Sequence, residues 1–229
     1  MTLFLRIVHA VSPALYRLGQ NVYALASKQG QLRSIRERRP VRSDGSAIPW
    51  YTYPAIEYLS QFDFSNAGVF EFGAGYSSLF WAQRARTVIS VESDPAWLEH
   101  LKQVVQPNQK VLLRQGRDDY VNAIREQPDL FDVVIVDGRW RHACVEAAMD
   151  KVRDDGLIVV DNSDRYPEAA RRLRDNNRFQ VDFSGFGPVN NYAWTTSIFL
   201  RAAVRLQKGF APPLPIAGLG RSLGAQDEG

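Results

Sequence analysis

Between residues 69 and 176 two kinds of segment take turns, and this alternation limits the folds open to the chain more than any other feature. Short runs of β-branched or large apolar residues fall at 69–72, 87–91, 111–113, 131–136 and 157–160. Each is followed by a stretch of helical character, at 77–84, 96–105, 120–126, 143–152 and 167–176. Such a sequence predicts a parallel sheet with helices on both faces. The runs are continuously apolar, as strands covered on both sides are. After 176 the alternation stops. Runs at 179–183 and 194–200 read as two strands joined only by a loop with Gly185, Gly187 and Pro188, so one closing strand is expected to be antiparallel.

Charge divides the chain. Net charge is +3, yet residues 1–42 carry eight Lys/Arg and one acid, while the remainder holds 20 basic and 24 acidic residues. Any attraction to an anionic partner therefore belongs to the N-terminal arm and not to the acidic-leaning body. Leu3, Phe4, Leu5, Ile7, Val8, Val11, Leu15, Leu18, Val22 and Leu25 roughly follow helical spacing, interrupted by Pro13. Three roles for this segment stay open: packing on its own domain, a homodimer contact, or a basic amphipathic helix on a membrane surface. Segment 33–42 is too charged to bury and reads as a linker. The expected division is a basic helical arm and linker at 1–48, one domain at 49–205 and a flexible Pro/Gly-rich tail at 206–229. No run of 18 apolar residues exists, which argues against a conventional membrane span. The single cysteine, Cys144, leaves no internal disulfide and fits a reducing compartment. A cytoplasmic location is expected, with the arm allowing peripheral contact at the inner membrane surface.

In an open parallel sheet, ligands sit at the carboxyl ends of the strands. The first strand runs into Glu71-Phe72-Gly73-Ala74-Gly75-Tyr76-Ser77-Ser78. Glycines there let backbone approach a ligand. A dinucleotide fingerprint would want a third glycine where Ser78 stands, and Glu71 would repel a pyrophosphate, so a ligand with a positive group fits better. The second strand ends in Glu92-Ser93, 21 residues beyond Glu71. A carboxylate in that position can accept both hydroxyls of a ribose. After the third strand, Asp118 can accept from an exocyclic amine or cap a helix beginning near Tyr120.

These stretches, Val69-Phe-Glu-Phe-Gly-Ala-Gly-Tyr-Ser-Ser and Ile89-Ser-Val-Glu-Ser-Asp, resemble motif I and its successor in the class I S-adenosylmethionine-dependent methyltransferases. The resemblance spans about residues 50–201. It implies an α/β, Rossmann-like seven-stranded sheet, mostly parallel with an antiparallel last strand. It also implies S-adenosylmethionine as cofactor. Glu71, Gly73, Ala74, Gly75, Ser77 and Ser78 would lie about its methionine part, Glu92 and Ser93 at the ribose, Asp118 at adenine, and Asp137 at the reacting edge. Ser77 departs from the family's third glycine.

The fourth and fifth strands end in Asp137-Gly-Arg-Trp-Arg-His142 and Asp161-Asn162. Asp137, Asp161 and Asn162 are similar to the metal ligands of catechol-type O-methyltransferases and suit Mg²⁺, although the same groups could orient an acceptor directly. The lysine that accompanies the metal in many relatives is absent. His142 stands near that place as a candidate base, and Arg139 and Arg141 as anchors for an anionic acceptor, or as partners of Asp132 and Glu146. Trp50, Tyr51 and Tyr53 would either close over the site or anchor a helix. The loop 184–192 offers Asn190 and Asn191 to an acceptor. The expected function is methyl transfer to a hydroxyl of a small-molecule or glycan-type acceptor. DNA is not expected as a partner and RNA is disfavoured, since the basic arm has no RNA-binding module behind it. A non-catalytic cofactor-binding module of the same fold, and more distantly a dehydrogenase, are the alternatives.

Overall fold

The computed structural model describes residues 12–206. The first eleven residues and 207–229 lie outside it, and with them the start of the arm pattern and nearly all of the expected tail.

The described helices, numbered in chain order, are α1 (Pro13–Tyr23), α2 (Gln31–Glu37), α3 (Tyr53–Ser60), α4 (Tyr76–Ala82), α5 (Pro95–Leu101), α6 (Arg117–Asn122), α7 (Arg141–Lys151) and α8 (Pro167–Asp175). A π-helical turn, Ala24–Lys28, continues α1. The strands are β1 (Gly68–Phe72), β2 (Thr87–Glu92), β3 (Gln109–Leu113), β4 (Phe131–Val136), β5 (Val152–Asp161), β6 (Phe179–Gly185) and β7 (Trp194–Leu200). All seven expected strands are present and form one sheet in the order β3-β2-β1-β4-β5-β7-β6. β1 to β5 are mutually parallel, and β7 runs antiparallel to both neighbours, pairing Leu157 with Leu200 and Phe179 with Leu200. The loop without a helix between β6 and β7 is what this reversal requires.

The period of two sorts the central strands onto two cores. Phe70, Phe72, Val134, Val136, Ile158, Val160 and Phe199 face α6, α7 and α8. Val69, Val133, Ile135, Leu157, Val159 and Ile198 face α3 and α4, with Ile48, Tyr51 and Trp81. Burying each such side chain contributes roughly 1.5–3 kcal/mol. The same period sets positions 71, 137 and 161 on the second of these faces, at the carboxyl end of three adjacent strands.

Segment 33–42 differs from its expectation as a solvated linker. Ser34 and Val41 are fully buried, and the Ser34 hydroxyl donates to Val41 O at 2.8 Å. Its charges are accommodated at the rim: Glu37 accepts from both Arg33 and Arg39, and the guanidinium of Arg39 lies over the Tyr76 ring. Gln31 donates to Gly187 O at 3.0 Å and Asn190 O at 3.1 Å, tying α2 to the β6–β7 loop. The backbone N–H of Thr52 donates to Thr196 Oγ1 at 3.0 Å. Net charge alone did not predict this burial, because small and apolar positions alternate with the arginines. Among the described residues no helix is long and apolar enough to cross a membrane.

Candidate active site

At the carboxyl edge of β1, β2 and β4 lies a cavity of about 450 Å³, within the range of small-molecule sites. One wall is the β1–α4 loop, Gly73 to Ser77. A second is Glu92, Ser93 and Asp94 at the end of β2, with Trp97 of α5. A third is Asp137 to Arg139 after β4, and Pro40 and Trp50 close the fourth side.

Backbone packing holds the loop. Gly73 has φ +97°, and a Cβ there would stand 2.8 Å from Gly138 Cα. Only glycine suits that conformation and that close approach. Gly75 differs. Its backbone is extended, and a Cβ would meet nothing nearer than Ser77 Oγ at 4.0 Å. The space over Gly75 belongs to the cavity and not to the fold. Glu92 accepts from the N–H groups of Ser93 at 2.6 Å, Asp94 at 2.9 Å and Ala74 at 3.3 Å, which fixes its carboxylate between the two loops. Trp97 donates from Nε1 to Ala74 O at 2.7 Å. Asp94 caps α5 through Ala96 N at 2.8 Å.

Behind this wall stand the carboxylates that the strand period aligns. Glu71 is fully buried and accepts from the hydroxyls of Ser77, Ser78 and Ser90. Burial pushes its carboxyl up to about 8 despite those hydrogen bonds. Glu71 and Ser78 were expected beside a ligand. They are instead the buried support of the loop, because Ser77, Ser78 and Ser90, from two different elements, close over the acid. Asp161 is likewise buried, and its Oδ1 accepts from Trp194 Nε1 at 3.0 Å and Thr196 Oγ1 at 2.6 Å. Burial raises the carboxyls of both Asp137 and Asp161; Arg141 offsets part of this at Asp137, whereas the charge of Asp137 raises Asp161 further than Arg141 relieves.

Arg141 links these groups. Its guanidinium donates to Gly138 O at 3.0 Å, to Asp137 O at 2.9 Å, to Asp137 Oδ1 at 3.0 Å and to Asp161 O. It is therefore no anchor for an acceptor, and it does not pair with Asp132 or Glu146, which pair with Arg153 and Arg172. Helix phase explains the exchange with His142. Because α7 begins at Arg141, that side chain turns inward and the next, about 100° on, turns outward. His142 is exposed against Tyr166, with ring centroids 6.0 Å apart, and does not line the cavity. This corrects its reading as a base. Arg139 does line the cavity, with its guanidinium over the Trp140 ring and no ion pair among the described residues.

The expected Mg²⁺ ligands do not fit a metal. A guanidinium already spans the ends of β4 and β5 between Asp137 and Asp161, and Oδ1 of Asp161 is taken by two donors. Asn162 sits at φ +53° as the residue before a 3₁₀ turn. No group of three or more His, Cys, Asp or Glu able to hold a metal occurs among the described residues. Asp118 is also displaced from its expected place. α6 begins at Arg117, three residues earlier than expected, so Gly116 is the cap and Asp118 points to solvent, paired with Arg117 at 3.2 Å. It is not among the lining residues. Of the three aromatics at the entry to α3, Trp50 lines the cavity, whereas Tyr51 and Tyr53 are buried in the core. Pro40, Tyr76, Asp94, Trp97, Tyr120 and Gly138 also line the cavity, without having been expected there. An aromatic one turn into the helix after an acidic strand end is a signal that could have found Trp97. Pro40 was hidden by the supposed linker.

No protein-family model matches the chain, and no curated protein matches it. Solved structures do. An rRNA methylase from Streptococcus thermophilus is 12% identical, with a TM-score of 0.51 over 66% of this chain and 98% of its own. The precorrin-6y C5,15-methyltransferase of Geobacter metallireducens is 14% identical, with a TM-score of 0.53 over 65% of this chain and 87% of its own. The O-methyltransferase TomG of Streptomyces achromogenes, solved with S-adenosylmethionine, is 16% identical, with a TM-score of 0.52 over 76% of this chain and 88% of its own. Together with the strand order and the reversed β7, these likenesses show that the chain has the fold of the class I S-adenosylmethionine-dependent methyltransferases.

Proposed function

We propose that the protein transfers the methyl group of S-adenosylmethionine to a hydroxyl of a small-molecule or glycan-type acceptor. The observation that carries this reading is the cavity in which the Gly73–Ser77 loop, the Glu92 carboxylate and Trp97 meet Asp137. When bound, the cofactor supplies a methyl group on a positively charged sulfur. Glu92 is already oriented by backbone donors and keeps acceptor capacity for ribose hydroxyls. The open place over Gly75 admits the ligand's approach to backbone. The rings of Trp50 and Trp97 favour a cation. Asp137 lines the cavity and burial raises its proton affinity, which supports a role for it in accepting the hydroxyl proton as the acceptor oxygen bonds to the methyl carbon and the carbon–sulfur bond breaks. Arg139 at the mouth suits an acceptor with an anionic or hydroxyl-rich portion. Most of the rate enhancement would come from positioning.

Calorimetry with S-adenosylhomocysteine tests the reading. Wild type should bind in the micromolar range, and Glu92→Ala should weaken binding by about 10²-fold, the loss of two hydrogen bonds to a charged acceptor. Gly75→Val should leave the unfolding midpoint nearly unchanged and yet abolish binding, since its side chain fills only the cavity. Wild type that binds no S-adenosylhomocysteine, or a Gly75→Val variant that binds normally, would remove the assignment. The acceptor class is tested by methyl transfer to metabolite and glycan extracts against RNA. The basic arm favours RNA as a second reading, and transfer to RNA alone would select it.

A further inference from the structure

We propose that α1 docks on an anionic lipid surface, laying its apolar stripe into the interface with the arm's basic side chains around it. Leu15, Leu18 and Val22 stand at i, i+3 and i+7 and share one face of the helix. They are 63%, 58% and 58% exposed, and no residue of α1 is buried. The opposite side carries Arg17, Gln20 and Asn21. An isolated helix of this length is marginal in water, and helices of this pattern normally gain stability by covering the apolar face. Among the described residues none covers it. The core reaches only as far as Leu25, in the π-helical turn that follows. The exposure continues beyond α1. Leu32 and Ile35 of α2 are also exposed, so among the described residues six of the fourteen exposed large hydrophobics fall between residues 15 and 35.

Charge selects the occupant. Arg17, Lys28, Arg36 and Arg38 make no ion pair among the described residues, and Glu37 is the one acid in residues 1–42. Its carboxylate is taken up by Arg33 and Arg39. In a twofold dimer the same patch meets itself, so a second copy would set this basic surface against its own like charge. An anionic bilayer offers both what the stripe lacks and what the cations lack. The eleven residues leading into α1 add Leu3, Phe4, Leu5, Ile7, Val8 and Val11 and no acid to the same sequence pattern.

The test is co-sedimentation of the full chain with vesicles of phosphatidylcholine alone or mixed with phosphatidylglycerol. Binding is expected to the mixed vesicles only, and is expected to fall away at about 1 M salt, where screening acts within about 3 Å. Leu18→Asp should lower the partition coefficient by about tenfold or more, since it removes buried apolar surface and adds a repelled charge. Phe179→Asp, an equally exposed change on β6, should leave partition as in wild type. Equal binding to neutral and anionic vesicles, no binding to either, or unchanged partition of Leu18→Asp would overturn the proposal. So would a dimer in analytical ultracentrifugation that Leu18→Asp converts to a monomer, which would assign the stripe to a second copy.

Discussion

Replacing Arg141 by methionine is expected to lower the unfolding free energy by about 3–5 kcal/mol, the range for removing one partner of a buried ion pair. The side chain is 8% exposed, and its guanidinium serves three backbone carbonyls and one carboxylate. Methionine matches much of the length but donates nothing. The carbonyls of Asp137, Gly138 and Asp161 would lose a donor, and the carboxylates of Asp137 and Asp161 would lose the cation between them. The loss should depend on pH. Without Arg141 the two acids hold their protons still more tightly, so the variant should recover part of the deficit at pH 5 and fall furthest behind at pH 8. Urea titrations at both pH values measure this. Arg141→Lys should fall between the two, since it keeps the charge and loses the fork. A methionine variant within about 1 kcal/mol of wild type at pH 8 would mean that Arg141 does not hold the ends of β4 and β5 together.

The second large effect concerns Glu71. Its carboxyl is held at about 8 against an ordinary 4.5. Between those values the folded chain retains a proton that the unfolded chain has released. Stability is then highest below the unfolded value and falls as pH rises toward the folded one. At about 1.4 kcal/mol per unit the span approaches about 5 kcal/mol, an upper bound because surrounding dipoles can relax. Asp137 and Asp161 are raised too and add to the same slope. Glu71→Gln keeps the shape and can still meet the serine hydroxyls. It should flatten the fall in melting temperature between pH 5 and 8 and make the protein more stable than wild type at pH 8. A wild-type melting temperature that rises across that interval would show that Glu71 is ionised in the folded state.

The sheet was legible because its signal is local. Continuous apolar runs at 131–136 and 157–160 can satisfy their backbones and bury both faces in few other ways, and the missing helix after 185 announced the reversal at β7. Helix phase was not legible. Two or three residues at the start of α6 and α7 decided whether Asp118 or Tyr120, and Arg141 or His142, turned inward. That start depends on tertiary packing that no short window contains. The alignment of Glu71, Asp137 and Asp161 could have been read from the period of two in their strands. Glu71 was expected at the cofactor and Asp137 with Asp161 at a metal, so it went unread that all three share one face of the sheet. Segment 33–42 was misjudged for the opposite reason: its overall charge was weighed, while the buried Ser34 and Val41 were too few to register.

The clasp between α2 and the β6–β7 loop has a consequence for the order of events at the ribosome. Gln31 meets Gly187 across 156 residues of chain, and Thr52 meets Thr196 across 144. Domains form as the chain emerges from its N-terminal side, yet the wall that Pro40 and Trp50 contribute is secured only when the last strand has been made. β1 to β4 can pair before that, but the cavity they border stays open on one side. A nascent chain halted before β7 would thus carry most of the sheet and no finished site, and ligand could stabilise the protein only once β7 has been made.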